Sequence, residues 1–190
     1  MAVSAAKAFG LYLRTLRSRA GLSLQDVEDL ARNTPGPISK NYLSRCENGQ
    51  LGLALSKMTI LCKIYSVPSD VVLERMELDL ELEQIGGPDT ENMSYEELIK
   101  LGVKSIEEGD YWPGYACYRD AIPLAPTSKL SPSFKDHEEQ SLIVDLNCAT
   151  SAMRVGKNRF AAFEFKRIEN TGHLSPTNSC FLFNRMANAS

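Results

Sequence analysis

Ile38-Ser39-Lys40-Asn41-Tyr42-Leu43-Ser44-Arg45-Cys46-Glu47-Asn48-Gly49 is the stretch whose reading decides the fold. Ser39 is a good helix cap and Asn48-Gly49 a good stop, so the spacing predicts a helix over about 39–47. Ile38, Leu43 and Cys46 fall on one side of it. Ser39, Lys40, Asn41, Ser44 and Arg45 fall on the other. One side is fit to be packed away, and the other presents short polar and basic groups to whatever lies outside.

Upstream, residues 6–20 place Phe9, Leu13, Leu16 and Ala20 at helical spacing, and Gly21 ends that helix. Ser23 caps the next segment, with Asp26 in the place of the capping-box acid. Its apolar face is read as Leu24, Val27, Leu30 and Ala31. Thr34-Pro35-Gly36-Pro37 breaks the chain before Ile38, since neither proline continues a helix. Downstream, residues 56–64 repeat the helical pattern with Met58, Ile60, Leu61 and Ile64. Val67-Pro68 turns, and Ser69 is read as the cap of a fifth helix from Asp70. The run from Glu74 to Glu83, where acids alternate with apolar residues, reads as a solvated helix face that could fray.

Gly86-Gly87-Pro88 is the best linker candidate, giving domains of 1–85 and 86–190. The second part begins where Ser94 caps YEELIKLGVKSIEEG. Helices are expected to either side of Gly109-Asp110-Tyr111, then over about 136–155 and 159–169. Residues 123–132 and 175–180 read as loops, and FLFNRMANAS as the start of one more helix. The expected fold class is therefore all-α.

Phe9 to Leu73 resembles the lambda-repressor-like helix-turn-helix family, also called the XRE or Cro/repressor family. LRTLRSRAGLSLQDV is similar to its first helix, Gly-Leu-Ser turn and second helix. ISKNYLSRCENG is similar to its recognition helix, and LSKMTILCKIYSVPSDVVLE to its fourth and fifth helices. The resemblance implies a five-helix DNA-binding domain with residues 39–47 in the major groove. Arg and Lys can read guanine there, Asn adenine, and Ser either. The implied DNA contacts are Ser39, Lys40, Asn41, Tyr42, Ser44, Arg45 and Asn48. Ser23 and Gln25 would stand near a phosphate at the start of the second helix. The resemblance also implies a buried ion pair between Arg17 and Glu47. One departure is the Thr34-Pro35-Gly36-Pro37 insertion, because the family turn is only three or four residues long.

LIKLGVKSIEEGDYWPGYACYRDAIPLAP resembles one tetratricopeptide repeat, through Leu101-Gly102, Gly109-Asp110-Tyr111, Gly114, Tyr118, Ala121 and Pro126. Ala149, Gly156, Ala161 and Phe165 mark a weaker second copy. The resemblance implies a helical hairpin array that binds a peptide or protein, or a second copy of the chain. The segment with Phe181, Leu182, Phe183 and Met186 looks like the first helix of a third repeat without its partner. Either the chain is truncated there, or this helix docks elsewhere, for example on another subunit.

Composition narrows the function classes. Residues 1–75 hold ten basic and six acidic residues, and residues 76–190 hold eleven and eighteen, so an anionic partner is expected for the first part. Cys46, Cys62, Cys117, Cys148 and Cys180 are odd in number and scattered, and read as small buried hydrophobes rather than a zinc set or redox pair. His137 and His173 lack ligand spacing, and no phosphate-binding glycine loop or nucleophile motif occurs. Neither catalytic residues, nor a metal, nor a cofactor is expected. No apolar run approaches the ~20 residues of a membrane span. Lys7, Arg14, Arg17 and Arg19 break up any signal-peptide core, so a cytoplasmic protein is expected. Two functions fit: a sequence-specific transcriptional regulator that binds double-stranded DNA as a homodimer, or an interaction adaptor whose helix-turn-helix fold has lost DNA binding.

Overall fold

The computed structural model describes residues 3–125 and 134–189, the first five and last two of the second stretch by backbone alone. Every regular element among them is helical. The chain divides into two compact units, Val3–Glu83 and Gln84–Ser190.

The first unit holds α1 (Ala5–Arg19), α2 (Leu24–Ala31), α3 (Lys40–Glu47), α4 (Leu55–Tyr65) and α5 (Ser69–Ile85). Local chemistry sets most of the ends. Ser4, Ser23 and Ser39 each accept a backbone N–H at the start of a helix, and Ser23 with Asp26 forms a complete capping box. Gly21 takes a positive φ of 70° just after α1. Leu13, Val27, Ile38, Leu43, Leu61, Val72 and Leu78 meet in the core, each 2% exposed or less. Leu30 departs from the expected face of α2: it is 57% exposed, and Val27 and Ala31 carry the burial. Ser69 is the first residue of α5 rather than its cap. The acidic run does not fray, and one of its acids is not solvated. Asp79 is buried and accepts from Arg75 Nε at 3.0 Å, while that guanidinium lies over the Tyr12 ring at 4.8 Å. Period decides this outcome: Arg75, Leu78, Asp79 and Leu82 share one face of α5 at three- and four-residue steps.

The second unit holds α6 (Tyr95–Glu107), α7 (Tyr111–Ala121) with a short 3-10 turn at Ile122–Leu124, α8 (Phe134–Arg154), α9 (Asn158–Thr171) and α10 (Pro176–Ala189). Small residues let α6 and α7 approach antiparallel. A Cβ on Gly102 would stand 3.0 Å from the Tyr118 ring, and one on Gly114 would stand 3.3 Å from Ile106 and from Ser151 of α8. Leu142, Leu146, Ala149, Ala161, Phe165 and Ile168 close α8 on α9, and Leu182 brings α10 onto them. Two polar fasteners hold this packing. Arg167 of α9 donates to Glu164 and across to Asp145 of α8. Glu139 Oε1 accepts from Ser175 N and Asn178 Nδ2, both at 2.8 Å, at the start of α10.

Two expectations are corrected here. Residues 176–180 are helical: Ser175 Oγ accepts the Asn178 N–H, and Glu139 holds the Ser175 N–H and the Asn178 side chain in place. Cys180 is exposed, while the other four cysteines are buried. Leu182 is buried and Met186 packs on the same cluster, so this helix covers the array from within the chain, while Phe181 and Phe183 stay about half exposed. Pro126, the rest of the loop expected up to residue 132, and the His137 side chain lie outside the described residues.

Candidate nucleic-acid interface

The geometry of α3 is set by what its inner side touches. Ile38, Leu43 and Cys46 are 3% exposed or less. Burial pushes the Cys46 thiol up, which keeps it a neutral packing group. A glycine brings α1 close: a Cβ on Gly10 would stand 2.5 Å from the Cys46 carbonyl oxygen and 2.7 Å from that of Glu47. Gly49, with φ of 69°, passes equally close to Lys7. Helix α1 therefore runs directly against the C-terminal backbone of α3, which no larger residue at position 10 would permit.

A polar clasp reinforces this contact. Arg17 Nε donates to Glu47 Oε1 at 2.6 Å, and Nη2 donates to Oε2 at 2.8 Å. Nη1 donates to the Leu22 carbonyl at 2.9 Å, tying the clasp to the turn before α2. The Glu47 carboxylate is 2% exposed and the Arg17 side chain 14%. Its hydrogen bond to Glu47 raises the Arg17 pKa, although burial works against the charge. Arg14 stands outside the clasp. Its Nη2 donates to Asn48 Oδ1 at 2.7 Å, and its Nε lies 3.5 Å from Glu47 at 45% exposure. Tyr65 lies beside the pair with a buried hydroxyl that has no hydrogen-bond partner among the described residues, and burial followed by Glu47 raises its pKa.

The opposite side of α3 presents Ser39, Lys40, Asn41 and Arg45 as exposed residues, with Ser44 half-buried. Not all of these are equally available. Ser39 Oγ caps the helix by accepting from Tyr42 N. Lys40 is drawn toward α2: its N–H donates to Glu28 Oε2 at 2.9 Å, and its Nζ to Gln25 Oε1 at 3.2 Å. Gln25 Nε2 in turn donates to Asp29. Ser23 is occupied by its capping box, which sets the Asp26 carboxylate at the start of α2 where a phosphate was expected. Asn48 Nδ2 donates to the Ser44 carbonyl. Tyr42 stands apart from the rest. Its hydroxyl donates to the Gly52 carbonyl and accepts from Ala54 N, and Lys57 Nζ sits over its ring at 4.1 Å. Tyr42 thus fastens the loop between α3 and α4. Asn41 and Arg45 are left as the exposed α3 side chains with the fewest internal engagements.

The inserted turn closes on itself and on α4. Thr34 Oγ1 donates to the Ala31 carbonyl at 2.7 Å, and Lys57 Nζ donates to the Pro37 carbonyl at 3.0 Å. Gly10, Glu28 and Lys57 are not among the residues expected at this face, and Arg14 is named in the sequence only as one of four N-terminal cations. A glycine inside an amphipathic helix, beside Phe9 and Leu13 of its apolar stripe, is the signal available for Gly10. The others are ordinary surface residue types, and only the folded chain shows their partners.

Among the described residues no helix is long and apolar enough to cross a membrane, and no group of three or more His, Cys, Asp or Glu side chains could hold a metal ion. Comparison with curated proteins and with solved structures finds no match. Residues 8–76 match the family model described as a helix-turn-helix domain, and together with the α1–α5 arrangement this makes the first unit a helix-turn-helix domain.

Proposed function

We propose that the chain is a sequence-specific DNA-binding transcriptional regulator of the lambda-repressor-like type, acting in the cytoplasm as a homodimer. In this reading, residues 1–85 bind DNA and α3 enters the major groove. Residues 86–190 form a tetratricopeptide-like array that binds a peptide or protein or a second copy. The observation that carries it is the division of α3: a rigidly clasped inner side, and an outer side with Asn41 and Arg45 free to meet base edges. The close Gly102–Tyr118 contact supports the repeat-like reading of α6 and α7.

One observation favours the adaptor instead. Residues 1–83 hold ten basic and ten acidic residues, because the acids of α5 belong to the same unit as α3. Attraction to DNA then rests on the α3 face rather than on overall charge. Selection of bound duplexes from a random pool, followed by footprinting, tests the regulator reading. A selected two-fold site with half-sites about one helical turn apart is the expected result. Recovery of no enriched sequence, with no retention on random duplex at low salt, would favour the adaptor.

A further inference from the structure

Three arginines of the second unit are at least partly buried, and two of them are held by carboxylates. Arg119 donates from Nε and Nη2 to the adjacent Asp120 carboxylate, at 2.7 and 2.9 Å. Arg167 is held by both Glu164 and Asp145, and their charges raise its pKa although burial opposes it. Arg185 of α10 is half-buried and has no carboxylate partner among the described residues. Its Nη1 donates to the neutral Asn147 Oδ1 of α8 at 3.3 Å. A guanidinium has five N–H donors, so four meet no described protein acceptor. Asn147 also faces the hydroxyl of Tyr118, whose pKa burial pushes up to about 12, so that the hydroxyl stays neutral. A second cation stands nearby: Arg154, at the end of α8, lies over the Tyr111 ring at 5.7 Å, and with burial it lowers the Arg185 pKa.

A half-buried cation beside another cation, with spare donors and no counter-charge among the described residues, is costly for a chain to keep. For Arg119 and Arg167 the sequence supplies a carboxylate. We propose that Arg185, Asn147, Arg154 and Tyr118 form a binding site for an oxyanion, a carboxylate or phosphate group of a ligand, which none of the described residues supplies. Arg185 would take the anion through its fork of N–H groups, Asn147 would hold that fork in place, and Arg154 would add charge from the rim. The inference rests on the second unit alone and stands or falls independently of DNA binding.

The test is calorimetric titration of the full chain with inorganic phosphate and, separately, with succinate, at fixed ionic strength. Saturable binding of at least one ion is expected, weakened about tenfold or more by Arg185→Ala, as for loss of a charge-assisted hydrogen bond. Lys104→Ala, at an exposed cation elsewhere, should leave it unchanged. Asn147→Asp supplies the missing carboxylate from within the chain. It should abolish ion binding while keeping or raising the melting temperature, which separates loss of the site from loss of the fold. Binding of phosphate alone would name a phosphate group, and of succinate alone a carboxylate. Failure of both ions to bind, or binding by Asn147→Asp as tight as by the unaltered chain, would overturn the proposal.

Discussion

Arg17→Ala isolates the clasp that orients α3. The substitution removes two hydrogen bonds to Glu47 and one to the Leu22 carbonyl, and leaves a carboxylate that is 2% exposed. Removing one partner of a buried pair costs about 3–5 kcal/mol, chiefly because the other charge is stranded. Arg14, 3.5 Å from Glu47, offsets part of that, so about 3 kcal/mol is expected. For a unit of this size each kcal/mol lowers the midpoint by about 4–8 °C, so a fall of roughly 12–24 °C follows. Arg14→Ala, at a 45% exposed side chain, should cost less than about 1 kcal/mol. Circular dichroism follows all the helices. Fluorescence of Trp112, the chain's single tryptophan, reads the second unit and serves as the internal reference. Adding Glu47→Gln to Arg17→Ala should recover part of the loss, since an amide is cheaper to strand than a carboxylate. A loss below about 1 kcal/mol for Arg17→Ala, or no recovery in the double variant, would refute the reasoning.

The other expectations are narrower. Arg45→Ala or Asn41→Ala should weaken binding to a selected site by about 1–3 kcal/mol with little change in stability; unchanged affinity would remove that side chain from the interface. Gly10→Ala would gain about 1 kcal/mol in an exposed helix, but here its Cβ meets the Cys46 carbonyl oxygen at 2.5 Å. Overpacking of this kind costs about 1–3 kcal/mol or more, so a net loss is expected in urea unfolding, and a net gain would show that α1 can move away freely. Tyr65→Phe removes a buried hydroxyl that has no described partner, so the midpoint should hold or rise; a loss above about 1 kcal/mol would reveal a hidden hydrogen bond. The capping carboxylates of Asp26 and Glu97 have lowered pKa values, because Ser23 and Ser94 hydrogen-bond their charged forms. Their contribution is present above the unfolded carboxylate range and is lost as pH falls through the folded values. Acid titration of Asp26→Asn should therefore show a shallower loss of stability than that of the unaltered chain.

Much of the fold was legible in the sequence because serines, glycines and apolar spacing act locally. Ser23, Ser39 and Ser94 mark helix starts, and the Ile38, Leu43 and Cys46 stripe marks the inner side of α3. Misreadings came where a distant partner decides. Asp79 looked solvated in an alternating run, but a buried Arg75 sits one turn away. The start of α10 looked like loop, because Glu139, more than thirty residues earlier, holds the Ser175 N–H just before it and the Asn178 side chain. The site divides in the same way. Exposure of Asn41 and Arg45 follows from period alone, whereas the engagement of Lys40 by α2 and of Tyr42 by the loop after α3 needs the folded chain.

The inserted turn shows why a helix-turn-helix domain can vary between its second and third helices. A short turn would fix the angle of α3 by its own stiffness. Here Thr34-Pro35-Gly36-Pro37 lengthens the connection, and the angle is set from elsewhere. The C-terminal end of α3 is held to α1 by the Gly10 approach and the Arg17–Glu47 pair, and its N-terminal end to α2 by Glu28 on the Lys40 N–H. Both attachments lie outside the insertion. The turn is fastened separately, by Lys57 on the Pro37 carbonyl. Shortening the turn should therefore change the domain less than removing Arg17. That ordering of two unfolding midpoints separates a helix placed by its loop from one placed by its clasp.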